Sequence, residues 1–129
     1  MRCLLDTHTF LWYIGRHPAI PSTIRELIEQ PTTLRFLSIA SLWEMAIKVN
    51  AGKLEIGMPF PTLVHDHVVG NGIMLLSIDA DHLEVFSQLP LHHRDPFDRL
   101  LIAQAMTEGM TLLSRDGMFD QYCVERRWA

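Results

Sequence analysis

Four short apolar runs constrain the fold of this chain more than any other feature: residues 2–5, 34–38, 73–78 and 111–114. Each is too short to be a self-standing helix and too apolar to be a loop, so each reads as a buried strand. Between them lie longer segments with apolar residues at helical spacing. Buried strands alternating with helices predict an α/β fold in three layers, a central mostly parallel sheet of four to five strands with helices on both faces. The fifth strand is expected at the edge, around Cys123 and Val124. Ligands of such sheets bind beyond the carboxyl ends of the strands, where the first run stops at Asp6 and the last at Arg115-Asp116-Gly117.

The helix-start and helix-stop residues agree with this alternation. Phe10, Leu11 and Ile14 predict a helix over 9–14. Ser22 can cap a second, with Ile24, Leu27 and Ile28 on one side and Pro31 after its end. Ser41 can cap a third, whose apolar stripe is Leu42, Met45, Ala46 and Val49. Short helices are expected over 62–69 and 118–121, and Asp79-Ala80-Asp81 opens another that stops before Pro90. The most explicit signal is His92-His93-Arg94-Asp95-Pro96-Phe97-Asp98-Arg99-Leu100-Leu101-Ile102-Ala103-Gln104-Ala105. Asp95 is a favourable N-cap and Pro96 falls at the first helical position, where a missing N–H does no harm. Phe97, Leu101 and Ala105, with Ile102 and Met106, form the expected buried face, and Gly109 ends the helix. Asp98 stands in the first turn at the edge of that face, so its carboxylate must be neutralised, hydrogen-bonded or bound to a cation.

Composition narrows the class. The 129 residues are 48% hydrophobic and 20% charged, which fits one folded domain spanning 1–129 rather than a disordered chain. A net charge of -4 argues against a protein that holds nucleic acid by charge alone. Cys3 and Cys123, far apart and each in an apolar run, read as buried reduced thiols of a cytoplasmic protein. No apolar run has the length of a membrane span, and Asp6 comes too early for a secretory leader.

Four acids compete for one site: Asp6, Glu44, Asp98 and Asp116. Each has an ordinary alternative. Asp6 can cap the next helix, and Glu44 can complete a capping box with Ser41 or pair with Lys48. Asp98 can simply favour the helix dipole, and Asp116-Gly117 can be only a turn. Brought to one sheet edge, however, the four would repel unless some protonate or a divalent cation compensates them. Mg²⁺ and Mn²⁺ suit such all-oxygen sites and can activate water against a phosphoryl group. His92-His93 and His65-Asp66-His67 lack a zinc-ligand pattern and read as solvated or structural. A phosphate-accepting signalling domain would need a lysine after its last strand, but the only lysines are Lys48 and Lys53. A haloacid-dehalogenase-like phosphatase would need an aspartate where His8 stands, and no Gly-x-Ser-x-Gly turn supports a serine hydrolase.

Four segments together resemble the PIN-domain family, and more narrowly its VapC-type toxins. They are Leu5-Asp6-Thr7-His8, Ser38-Ile39-Ala40-Ser41-Leu42-Trp43-Glu44, the 92–105 stretch, and Leu113-Ser114-Arg115-Asp116. The resemblance covers essentially the whole chain and implies a metal-dependent endoribonuclease with a PIN-like parallel sheet. It implies Mg²⁺ or Mn²⁺ held by Asp6, Glu44, Asp98 and Asp116, with Asp6 and Asp98 the strongest ligands and Asp116 the acid most often replaced in the family. Asp120 is a possible substitute for Asp116, and Thr7 and Ser41 are expected to support the acids. It further implies an RNA substrate, a cognate antitoxin and a homodimer. Trp12, Tyr13, Leu42 and Trp43 are candidates for a surface receiving the antitoxin, with core packing the ordinary alternative. Arg94, Arg99 and Arg115 are expected either to guide RNA or to form exposed salt bridges. The competing reading is a catalytically inactive PIN-like binding module.

Overall fold

A computed structural model describes all 129 residues. Five strands form one sheet: β1 (Arg2–Leu5), β2 (Leu34–Ser38), β3 (Ile73–Leu76), β4 (Thr111–Leu113) and β5 (Arg126–Arg127), in the order β3-β2-β1-β4-β5. Every neighbouring pair is parallel, with Leu4 opposite Phe36 on one side and Leu112 on the other. The helices are α1 (Thr7–Ile14), α2 (Ser22–Glu29), α3 (Ile39–Asn50), a short α4 (Phe60–Thr62), α5 (Ala80–Ser87) and α6 (Pro96–Glu108). No helix is long and apolar enough to cross a membrane.

The strand order explains why β1 is apolar from Cys3 to Leu5. Its alternate side chains enter two separate cores. Cys3 and Leu5 pack with Phe10, Ile24, Ile28 and Met45 on the face covered by α1, α2 and α3. Leu4 packs with Leu101, Ile102, Leu112 and Phe119 on the opposite face, under α6. After β1 the chain steps outward to β2 and β3, then returns through α5 and α6 to place β4 on the other side of β1. That reversal opens a crevice at the carboxyl ends of β1 and β4. Asp6 N donates to Leu113 O at 3.2 Å, so the ladder brings Asp6 beside the end of β4.

Several sequence expectations shift, each for a physical reason. β2 runs into α3 without a loop, so Ser38 is the cap: its Oγ accepts from Ala40 N at 3.0 Å. Ser41 lies inside the helix with its hydroxyl buried and unpartnered, so it supports no acid. The 62–69 helix is short α4 continued by a π-helical turn, Leu63–Val68. The edge strand is Arg126–Arg127 rather than Cys123-Val124. Edge strands need no apolar run, and charge on them discourages further pairing, so apolarity was the wrong signal there. Cys123 falls in the turn before that strand and is exposed, whereas Cys3 is buried as expected. In α6 the residues from Arg99 to Ala105 are all buried, because α3 and α5 pack against it as well as the sheet. Met106 points out of this packing and is exposed.

Candidate metal centre

The α6 start forms as its sequence dictates. Asp95 Oδ1 accepts from Phe97 N at 2.8 Å and from Asp98 N at 3.3 Å. With Asp95 occupied as the cap, Asp98 is carried one position round the first turn to the mouth of the crevice. Asp6 is the cap of α1, its Oδ1 accepting from Thr9 N at 2.8 Å. Asp116 caps the 3₁₀ turn Gly117–Gln121, its Oδ1 accepting from Met118 N at 2.9 Å. Asp6 and Asp116 therefore each fix one oxygen on a helix start, which orients the carboxylate. The ordinary alternative for Asp6, helix capping, is real, and it coexists with a place in the acid cluster.

A cavity of about 120 Å³ is lined by Asp6, Glu44, Asp95, Asp98 and Asp116, together with Lys48. The four acids singled out from the sequence thus share one cleft. Asp6 and Glu44 are at its base, buried, while the Asp98 and Asp116 side chains are 25% and 43% exposed at its mouth. Glu44 does not complete a capping box with Ser41. Its Oε1 accepts from Thr7 Oγ1 at 2.7 Å and its Oε2 from Lys48 Nζ at 2.8 Å. Thr7 thereby supports the cluster, as expected.

The electrostatics are those of crowded carboxylates. Burial, and then the charges of Asp95, Glu44, Asp6 and Asp116, push the Asp98 carboxyl from its usual 3.8 up to about 7. Burial also raises the Asp6 carboxyl, against hydrogen bonds from Ser114 and Thr9 that favour its charged form. The hydrogen bond to Glu44, and then the negative charges of Glu44, Asp95 and Asp98, raise the Lys48 ammonium. One ammonium against five carboxylates leaves the cleft strongly anionic.

His93 was read from the sequence as solvated or structural, but it lies between two of the acids. Its Nε2 is 3.2 Å from Asp98 Oδ2 and 3.8 Å from Asp116 Oδ2. Its Nδ1 accepts from Asp95 N at 3.1 Å. An Nδ1 that accepts carries no proton, so the proton of the neutral ring is on Nε2, on the side of the carboxylates. Tyr122 holds the preceding loop through its hydroxyl, which accepts from His93 N at 2.8 Å and His92 N at 3.1 Å. The sequence did contain one local signal. A histidine two residues before a turn N–H can accept it on Nδ1, and His17 does the same with Ala19 N at 2.9 Å.

The other expectations divide. His92, His65 and His67 do not join the acids; His92 packs edge-on against Tyr122 and His65 pairs with Asp66. Asp120 is no substitute for Asp116, because both its oxygens bind Arg126 at 2.8 Å. Arg99 cannot guide a substrate: it is buried over the Phe86 ring, 5.0 Å from its centroid, and donates to Leu89 O. Arg115 is exposed beside Asp116. Leu42 belongs to the core, while Trp43 is 57% exposed.

The donor set fits a hard divalent cation. Asp98 and Asp116 offer carboxylate oxygens within 4.8 Å of each other, with the His93 ring beside them rather than among the ligands, and burial together with the crowding of acids raises the Asp98 carboxyl. All-oxygen, multiply anionic clusters select Mg²⁺ or Mn²⁺ over softer ions.

An all-parallel sheet with an acid-lined cleft at its topological reversal defines a class of α/β proteins built to hold a cationic or phosphate-bearing ligand at the strand ends. The PIN domain family matches residues 3–125, and the chain belongs to that family. The fold is similar to that of VapBC2 from Rickettsia felis bound to a promoter DNA fragment, at TM-score 0.74 and 16% identity over 98% of each chain. VapBC-1 from nontypeable Haemophilus influenzae is similar at TM-score 0.69 and 14% identity, over 98% of this chain and 97% of that one. FitAcB from Neisseria gonorrhoeae is similar at TM-score 0.66 and 18% identity, over 96% and 95%. No curated protein matches the chain significantly by sequence.

Proposed function

We propose that this chain is a divalent-metal-dependent endoribonuclease, the toxin of a toxin–antitoxin pair, and that residues 1–129 act as one PIN unit in the cytoplasm. The observation that carries the reading is the convergence of Asp6, Glu44, Asp98 and Asp116 on one cleft where Asp98 is pushed to about 7. PIN-family membership supports nuclease chemistry, and the likeness to VapBC and FitAB assemblies supports a paired antitoxin. The apolar stripe Ile39, Trp43 and Ile47, exposed along α3, supports a protein partner or a second copy of the chain.

Asp6, Asp98 and Asp116 would hold Mg²⁺ or Mn²⁺, with Glu44 as the fourth acid sharing its charge with Lys48. Such an ion supplies neutralisation of the acids, polarisation of a phosphoryl oxygen and acidification of water. The chain's own residues orient the site. Asp6 and Asp116 are fixed by the N–H groups they cap, and Thr7 fixes Glu44. His93 Nε2 stands beside Asp98 and Asp116, at 3.2 Å and 3.8 Å from their oxygens. Lys48, bonded to Glu44 and lining the same cavity, tempers the repulsion among the acids.

Purified protein should cleave single-stranded RNA with Mg²⁺ or Mn²⁺ and lose the activity in EDTA. Asp6→Asn and Asp98→Asn should fold, by circular dichroism, and fail to cleave. Metal-independent cleavage, or parental rates in both variants, would overturn the assignment. A folded protein that binds RNA but never cuts it would support the inactive binding module instead.

A further inference from the structure

Next to the acid cleft, and sharing Asp6, His8 and Asp116 with it, lies a second cavity of about 380 Å³. Its remaining walls are Trp12, Arg115 and Gly117. The volume is within the range of about 300–1,000 Å³ typical of ligand pockets. Three features give it a chemistry. The Trp12 indole is held in an aromatic cluster, with the His17 ring stacked at 5.5 Å, His8 tilted at 5.8 Å and Trp128 at 6.0 Å. Arg115 is exposed and bonded to no carboxylate or carbonyl, a free guanidinium beside an acid cluster that could have neutralised it. Gly117 lines it without a side chain, and a Cβ there would meet nothing within 4 Å, so the wall is open at that point.

We propose that this cavity is a nucleotide subsite: it takes one nucleotide of a single-stranded RNA, the base against Trp12 and His8 and a phosphate on Arg115, next to the phosphodiester presented to the acids. The inference rests on the ribonuclease reading above. An aromatic wall suits a base because every base has a π-face, so the subsite is tolerant of sequence. A planar, forked guanidinium suits a phosphate. The two cavities share Asp6, His8 and Asp116, so a strand seated in one runs directly into the other. A peptide partner would use the apolar walls but would leave the cation unexplained, because the neighbouring acids already favour a basic peptide over an acidic one.

The test measures binding of a fluorescein-labelled single-stranded 12-mer RNA by anisotropy, in Mg²⁺, on the Asp98→Asn background so that bound RNA is not cut. Trp12 also touches the core, so the comparison is between Trp12→Leu and Trp12→Phe, which disturb packing similarly but differ in the π-face. Trp12→Leu should weaken binding roughly 5- to 100-fold, the range for loss of one stacked base, and Trp12→Phe should restore most of it. Arg115→Ala should reduce the slope of log affinity against log salt by about 0.7, the value for one phosphate contact on a single strand. Trp12→Leu should leave that slope unchanged. Equal binding by Trp12→Leu and Trp12→Phe, with an unaltered slope in Arg115→Ala, would overturn the subsite while RNA binding by the parent background kept the ribonuclease reading intact. RNA that neither binds this background nor is cut by the unsubstituted protein would instead remove the reading on which the subsite depends.

Discussion

Two clusters at opposite ends of α6 each combine one histidine with two carboxylates and differ in what they have left over. Asp79, His82 and Glu108 form one; His93, Asp98 and Asp116 form the other. In the first, His82 is fully buried, its Nδ1 accepting from Asp79 N at 2.9 Å and its Nε2 3.4 Å from Glu108. Asp79 and His82 complete a capping box at the start of α5, and Gln104 reaches in to bond Ser77 O. That cluster uses its polar groups to join α5 to α6. In the second, Asp116 caps its own helix start while Asp98 caps none, and burial, then the neighbouring acids, push Asp98 upward. Residue identity does not separate a structural polar cluster from a reactive one. The difference is whether the acids are crowded together out of water, as they are around Asp98.

The contrast can be broken in a definite order. Asp98→Asn should reduce RNA cleavage at least roughly 100-fold while the protein stays folded, because a carboxylate that meets both ion and substrate charge is lost. Glu108→Gln, in the first cluster, should leave cleavage per folded molecule within about twofold, since Glu108 meets His82 and joins α5 to α6 away from the cleft. Next, His93→Ala should weaken Mn²⁺ binding by calorimetry roughly 10-fold, the scale for groups that orient ligands. His93→Gln, which keeps a donor and an acceptor, should recover part of the affinity; a purely structural role would show no such recovery. Third, His82→Ala should cost about 1–3 kcal/mol in urea unfolding by leaving buried groups unpaired, with little change in metal affinity.

The smallest effect expected is on stability against pH. The Asp98 carboxyl titrates near 3.8 when unfolded and about 7 in the fold. Below about pH 4 both states hold the proton and stability is complete. As pH rises towards 7 the unfolded state releases a proton that the folded state keeps, so stability falls. The metal-free protein should therefore melt at a lower temperature at pH 7.5 than at pH 5.5. Asp98→Asn should flatten that slope, as should added Mn²⁺. An unchanged slope in Asp98→Asn would show that Asp98 is not the crowded group.

Much of this arrangement was legible in the sequence, because the residues concerned act locally. Asp95-Pro96 specifies a helix start by capping and by a fixed φ, and α6 begins there. The runs at β1 and β4 end at acids, and parallel topology carries those ends to one edge. What escaped depends on contacts between distant segments. The role of His93 needs Tyr122, 29 residues away, to hold its loop. The burial of Arg99 and the exposure of Met106 follow from how α5 and α3 wrap α6, which a single helical stripe does not encode. The Ser38 cap was missed because strand and helix abut without a loop. The Lys48–Glu44 pair was visible as an i,i+4 spacing, and it coexists with the acid cluster instead of excluding it.

The account turns on where a divalent ion binds, and anomalous scattering from crystals soaked in Mn²⁺ measures that directly. It predicts a peak in the cleft, at about 2.1 Å from carboxylate oxygens of Asp98 and its neighbours. A cleft without density at Mn²⁺ concentrations that support cleavage, or a peak on Asp79, His82 and Glu108 instead, would contradict it.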